Sequence, residues 1–222
     1  MLSPYVEELQ QTLQEYANAS IAQQQQAYLK DLFEHYGIKA PVRRSITKYL
    51  LTKEARPFKE ELDKIVRELW TLDQREFQHF GLDLCDKYKR QWVKSDLSLF
   101  EHMVVHKSWW DTVDYIAVNL MGPYFKQFPE LIETKMEEWI QSQNLWLQRC
   151  TLIFQLKYKK DTNTALLSRC ILQLNHTKEF FLNKAIGWAL REYSKTNPKW
   201  VMEFTDQQQL HPLSKREALR LM

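Results

Sequence analysis

The segment KSWWDTVDYIA, Lys107 to Ala117, sets Trp109 and Trp110 against Asp111 and Asp114 in an otherwise apolar stretch. On a helix, Trp110 and Asp114 are four residues apart and share one face, as do Lys184, Trp188 and Arg191. Arg149 follows Trp146 by three residues, and Lys157, Lys159 and Lys160 read as the end of the same helix, where cations suit the dipole. Asp114, Arg149 and Lys184 are each 35 residues apart. In a chain that repeats with that period they line up along one edge or face. Arg and Lys neutralise phosphates and aromatic faces contact sugars, so such a ladder suits a nucleic-acid backbone. A carboxylate there would repel phosphate, but beside a sugar it stabilises the positive charge that develops as a glycosidic bond breaks. At any one of these positions taken alone, core tryptophans and solvated charges remain the alternative. Repetition in register favours a ligand-facing surface.

Other candidates are weaker. His102 and His106 have the i, i+4 spacing of metal ligands, but no glutamate completes H-E-x-x-H and no third ligand is evident, so no metal or cofactor is expected. Asp111 suits the start of a helix. Arg43 and Arg44 in PVRRS fit either phosphate contact or plain surface. There is no Gly-rich phosphate loop and no Ser/His/Asp pattern.

The elements that must position these residues recur. Segments beginning near Arg75, Trp109, Leu145, Phe180 and Pro212 each place large apolar residues ahead of an apolar helix, and aligning Phe77, Trp110, Trp146, Phe181 and Leu213 gives steps of 33, 36, 35 and 32 residues. That is close to one helix pair of an α-solenoid. Partner helices start at prolines, Pro129 and Pro198, with polar breaks such as KDTN at Lys160 to Asn163. One helix pair cannot bury both faces, so stacked neighbours supply the core and leave a concave surface. No linker divides the chain, and residues 1–222 are expected to form a single domain.

Bulk composition agrees. Only four glycines occur in 222 residues, and hairpin turn signals are missing, which predicts an all-α chain; 44% hydrophobic residues are ample for a core. No apolar run is long enough to span a bilayer, and the N-terminal helix from Leu2 to Tyr16 is acidic and amphipathic. Three cysteines, Cys85, Cys150 and Cys170, show no C-x-x-C spacing and read as buried thiols of a reducing compartment, hence the cytoplasm. Residues 1–36 hold five acidic and one basic side chain, whereas residues 142–200 hold ten basic and three acidic. The C-terminal half thus holds a positive region of about +7.

The strings GIKAPVRRS, RELWTLDQREFQ, KSWWDTVD, NLWLQRCTLIFQLKYK, KEFFLNKAIGWALREYSKTNP and LSKREA resemble the bacterial AlkD-like DNA alkylation repair glycosylases over nearly the whole chain, from about Tyr28 to Ala218. The resemblance implies HEAT-like repeats in a C-shaped solenoid that cradles duplex DNA, acting as a monomer without a cofactor in the cytoplasm, close to the nucleoid of a bacterium. It implies monofunctional excision of N3- and N7-alkylated purines such as 7-methylguanine and 3-methyladenine, without flipping of the base. By the same resemblance Asp114 is the catalytic carboxylate, Trp110 and Trp188 face the sugar, and Tyr28, Arg149 and Arg191 contact DNA around the lesion. Lys157 and Lys184 are added as backbone contacts by their place on the same helices; Lys184 also keeps a Schiff-base route open. Some relatives lack recognition elements and are inactive, which leaves a non-catalytic DNA- or protein-binding scaffold as the alternative.

Overall fold

A computed structural model describes residues 2–222. Among them there is no strand, only an isolated bridge between Glu34 and Gln74, and the chain is all-helical. It divides into two compact units, residues 1–107 and 108–222.

The first unit contains α1 (Pro4–Glu15), α2 (Ala19–Tyr28), α3 (Ala40–Ile46), α4 (Leu62–Thr71), α5 (Arg75–Asp86) and α6 (Leu97–Val105). α1 begins at a proline, whose missing N–H is no loss in a first turn, and α2 is capped by Asn18, which accepts from the Ile21 amide at 3.0 Å. Val6, Leu9, Ile65, Leu69, Phe77, Phe80 and Phe100 are fully or almost fully buried. Trp70 anchors α4 to α6 by donating its indole N–H to the carbonyls of Met103 at 3.2 Å and His106 at 3.1 Å. The buried Glu76 carboxylate accepts the amides of Tyr36, Gly37 and Ile38 at 3.0–3.1 Å. Gly37 has φ +86°, and a Cβ there would meet the Asn18 carbonyl oxygen at 2.1 Å, so no other residue fits that turn. Arg43 is buried and bonded to Asp83 at 2.7 Å. Of the two readings given to it, phosphate contact and surface, neither holds: its partner lies forty positions along the chain.

The second unit contains α7 (Trp110–Tyr115), α8 (Gly122–Gln127), α9 (Ile132–Gln141), α10 (Leu145–Ile153), α11 (Thr164–Leu174), α12 (Phe180–Ser194), α13 (Pro198–Gln207) and α14 (Pro212–Ala218). Asn144, Asn163 and Asn197 cap α10, α11 and α13 by accepting amides of their first turns at 3.0–3.1 Å. Tyr124, Phe125, Trp139, Cys150, Ile153 and Phe154 form a closed apolar core. α10 packs against α7 on one side and α12 on the other, and α12 packs in turn against α14.

Between α7 and α8, residues Ile116–Met121 form a π-helix. Pro123 supplies the reason: it lacks an N–H and its ring crowds the carbonyl four residues back, so the preceding turn opens to a wider bonding pattern.

The five aligned repeat positions fall within the first three residues of α5, α7, α10, α12 and α14. Hydrogen bonds carry the same spacing. Tyr158 donates to the Gly122 carbonyl across 36 positions, Asn175 to Gln209 across 34, and Ser214 to Asn183 across 31. Within the second unit, side chains thus join segments about one repeat apart, as in an α-solenoid.

Lys157, Lys159 and Lys160 do not end α10. The helix stops at Ile153, and Lys159 starts a short 3-10 turn with φ +54°. The buried Tyr158, with its ring on Phe154 and its hydroxyl on Gly122, fixes the chain away from the helix axis, which removes the helix-dipole argument for these lysines.

Candidate active site

Asp114 stands near the end of α7, two residues before the π-helical turn. Both its oxygens are held by one guanidinium: Arg149 Nε donates to Oδ1 at 2.7 Å and Nη2 to Oδ2 at 2.8 Å. The side chains are 17% and 6% exposed. The remaining terminal nitrogen of Arg149, Nη1, donates to the Phe181 carbonyl at the start of α12. One arginine therefore joins α7, α10 and α12 and fixes the carboxylate in a single orientation, as the planar fork of Arg permits and the ammonium of Lys would not.

An aromatic wall stands beside this pair. Trp109, Trp146 and Phe181 meet mutually, with ring centroids 5.6, 5.1 and 5.0 Å apart, and the Arg149 guanidinium lies 5.9 Å from the Phe181 ring. Offset and edge-on aromatic contacts of this kind add to the stabilisation from area burial. Trp109, the residue before α7, is thus part of the wall. Trp110 opens α7, and Asp111 lies in its first turn, where a carboxylate favours the helix dipole. Trp110 and Trp188 are half-buried.

On α12, Trp188 lies between Lys184 and Arg191, and both cations pair with one carboxylate, Glu217 of α14: Lys184 Nζ to Oε1 at 3.0 Å and Arg191 Nη1 to Oε2 at 2.6 Å. Hydrogen bonds from Lys184, then Arg191, hold the Glu217 carboxyl below the usual carboxylate range. Lys157 is exposed and donates to Asn119 Oδ1 at 2.6 Å. Tyr28 ends α2 in the first unit and is 69% exposed.

The second unit thus holds Trp110, Asp114, Arg149, Lys157, Lys184, Trp188 and Arg191, and Tyr28 belongs to the first. The chief difference from the sequence reading is Arg149. Expected to face DNA, it is buried and bonded within the protein, with both oxygens of Asp114 as its partners. Phe181 and Glu217 were not among the candidates. Their one signal is spacing: Phe181 follows Arg149 by 32 positions, and Glu217 follows Lys184 by 33, each about one repeat. Among the described residues no group of three or more His, Cys, Asp or Glu side chains is arranged to hold a metal ion, and no helix is long and apolar enough to cross a membrane.

A fixed carboxylate beside indoles, with cations on the next helix, can stabilise a developing cation on a polyanionic ligand. The family model for DNA alkylation repair enzymes matches residues 9–222. Among solved structures the chain is similar to a protein described as a predicted DNA alkylation repair enzyme from Enterococcus faecalis, at 33% identity and a TM-score of 0.86, over 93% of this chain and 96% of that one. A search of curated proteins gives no significant match.

Proposed function

Because the chain belongs to the DNA alkylation repair enzyme family, we propose that it is a monofunctional DNA glycosylase that excises cationic N3- and N7-alkylated purines from duplex DNA without flipping the base. Family membership gives a role in alkylation repair, with DNA as partner. The finer reading rests on one observation: Asp114, next to the half-buried Trp110 helix start, is held rigid by the two hydrogen bonds from Arg149.

Alkylation at N3 or N7 makes the purine a cation and a good leaving group, so no general acid is needed. The C1′–N bond breaks with its electron pair going to the purine, which leaves as a neutral base. The sugar takes on oxocarbenium character, stabilised by Asp114 and by the electron-rich faces of Trp110 and Trp188. Water adds at C1′ and releases a proton, leaving an abasic site. Two features favour a carboxylate held in advance over a mobile one: it needs no reorganisation as charge develops, and its partial burial reduces screening by water. Lys157, Lys184, Arg191 and Tyr28 would hold the DNA backbone around the lesion. We take the chain as a single domain of HEAT-like repeats, since one family model matches residues 9–222. A monomer in the bacterial cytoplasm would suffice.

The deciding experiment is release of 7-methylguanine from methylated duplex DNA by wild-type protein and by Asp114→Asn. Release by the wild type, lost in the variant, supports the proposal. No release above the spontaneous rate overturns it in favour of a non-catalytic helical-repeat scaffold, a reading that the Asp114–Arg149 pair also suits as a purely structural link.

A further inference from the structure

Glu217 makes the two contacts that fix the cations on either side of Trp188, and it comes from a different helix, α14. Its side chain is 11% exposed, against 21% for Arg191 and 37% for Lys184, so the carboxylate itself is enclosed and the Arg191 contact is the more sheltered of the two. The approach is built in: a methyl group on Gly187, one residue before Trp188, would lie 2.4 Å from Glu217 Cβ and 2.9 Å from the Ser214 carbonyl oxygen. Only glycine lets α14 come this close. Ser214, on the same helix, donates to the Asn183 carbonyl at 3.0 Å and tightens the same joint.

We propose that Glu217 is a positioning residue for DNA binding, holding Lys184 and Arg191 as a preset pair of phosphate-binding cations flanking Trp188. This rests on the reading of α12 as a DNA-facing helix. Charge alone gives the opposite sign: a carboxylate beside two cations weakens the local positive field, so its removal should tighten binding of a polyanion. Positioning gives the reverse, because two long side chains released from a common anchor must be ordered again by the ligand at a cost in side-chain entropy.

The test is binding of undamaged duplex DNA at several salt concentrations, to wild type, Lys184→Ala, Glu217→Gln, the double variant and Glu217→Asp, with thermal melts establishing that each is folded. Lys184→Ala alone is expected to lower the slope of log K against log salt by about one. Glu217→Gln should weaken binding about threefold or more although it removes a negative charge, and Lys184→Ala should then add less than about twofold, a coupling expected of groups that act together. Glu217→Asp keeps the charge but is too short to span both cations, and should bind like the Gln variant. Equal or tighter binding by Glu217→Gln, an undiminished effect of Lys184→Ala in that background, or wild-type binding by Glu217→Asp would each overturn the proposal. Loss of base release by the wild type would sink the glycosylase reading without touching this result, since plain duplex reports only on the cations.

Discussion

Asp114 and Arg149, thirty-five residues apart, are joined by two parallel hydrogen bonds of 2.7 and 2.8 Å. The pair separates catalysis from stability. Asp114→Asn keeps an acceptor for one Arg149 nitrogen but loses the anion, and should lower excision of 7-methylguanine by roughly 100- to 1000-fold, the usual loss when an electrostatic stabiliser is removed. Arg149→Ala leaves a half-buried carboxylate unpaired and an acceptor at Phe181 unfilled, and should destabilise the fold by roughly 3 kcal/mol, the low end for a broken buried pair because Asp114 keeps some exposure. Chemical unfolding beside single-turnover base release separates the two effects.

Replacing Trp110 or Trp188 by Ala should reduce kcat/KM for cationic lesions by roughly two- to thirtyfold each, the range of one indole–cation contact. Affinity for undamaged duplex should fall less. Equal losses for damaged and undamaged DNA would place these indoles on the backbone and not against the sugar.

The periodicity of the sequence exposes the repeat because a helix start demands recognisable local chemistry: asparagine caps at Asn144, Asn163 and Asn197, and prolines at Pro198 and Pro212. The placement of Asp114 and of the α12 cations follows from that register. What stays hidden is pairing at a distance. Arg43 finds Asp83 forty positions away, Arg149 finds Asp114 and Phe181 at 35 and 32, and Glu217 gathers Lys184 and Arg191 at 33 and 26. Local spacing offers charged residues, and only packing decides whether a cation faces solvent or a carboxylate. The end of α10 was equally illegible, since it depends on where the Tyr158 hydroxyl is received.

Stability should respond to acid through Glu217. Its carboxyl is held below the ordinary range, by Lys184 first and Arg191 second, so its contribution is complete above that range and is lost as pH falls through its folded value. Urea unfolding from pH 7 to pH 3 should show Glu217→Gln losing less stability than the wild type below about pH 5. Parallel curves would show that the carboxylate is not coupled to folding.

Gly187→Ala should cost roughly 1–3 kcal/mol, the range for overpacking a filled contact, because the added methyl forces α12 away from α14. A lowered Tm with DNA binding weakened alongside is the expected pattern. An unchanged Tm would mean the helices separate freely.

Burial pushes the thiols of Cys85 and Cys150 far up, and that of Cys170 to about 11. Since the thiolate is the reactive form, a thiol reagent at neutral pH should label none of the three in the native protein and all three in denaturant. Rapid native labelling of Cys150 would mean that α10 opens.

The wide turn at Ile116–Met121 accommodates one residue more than the α-helical pattern would. Deletion of one residue within this span is therefore expected to close the wide turn to an ordinary α-helical one while leaving the helices on either side in place.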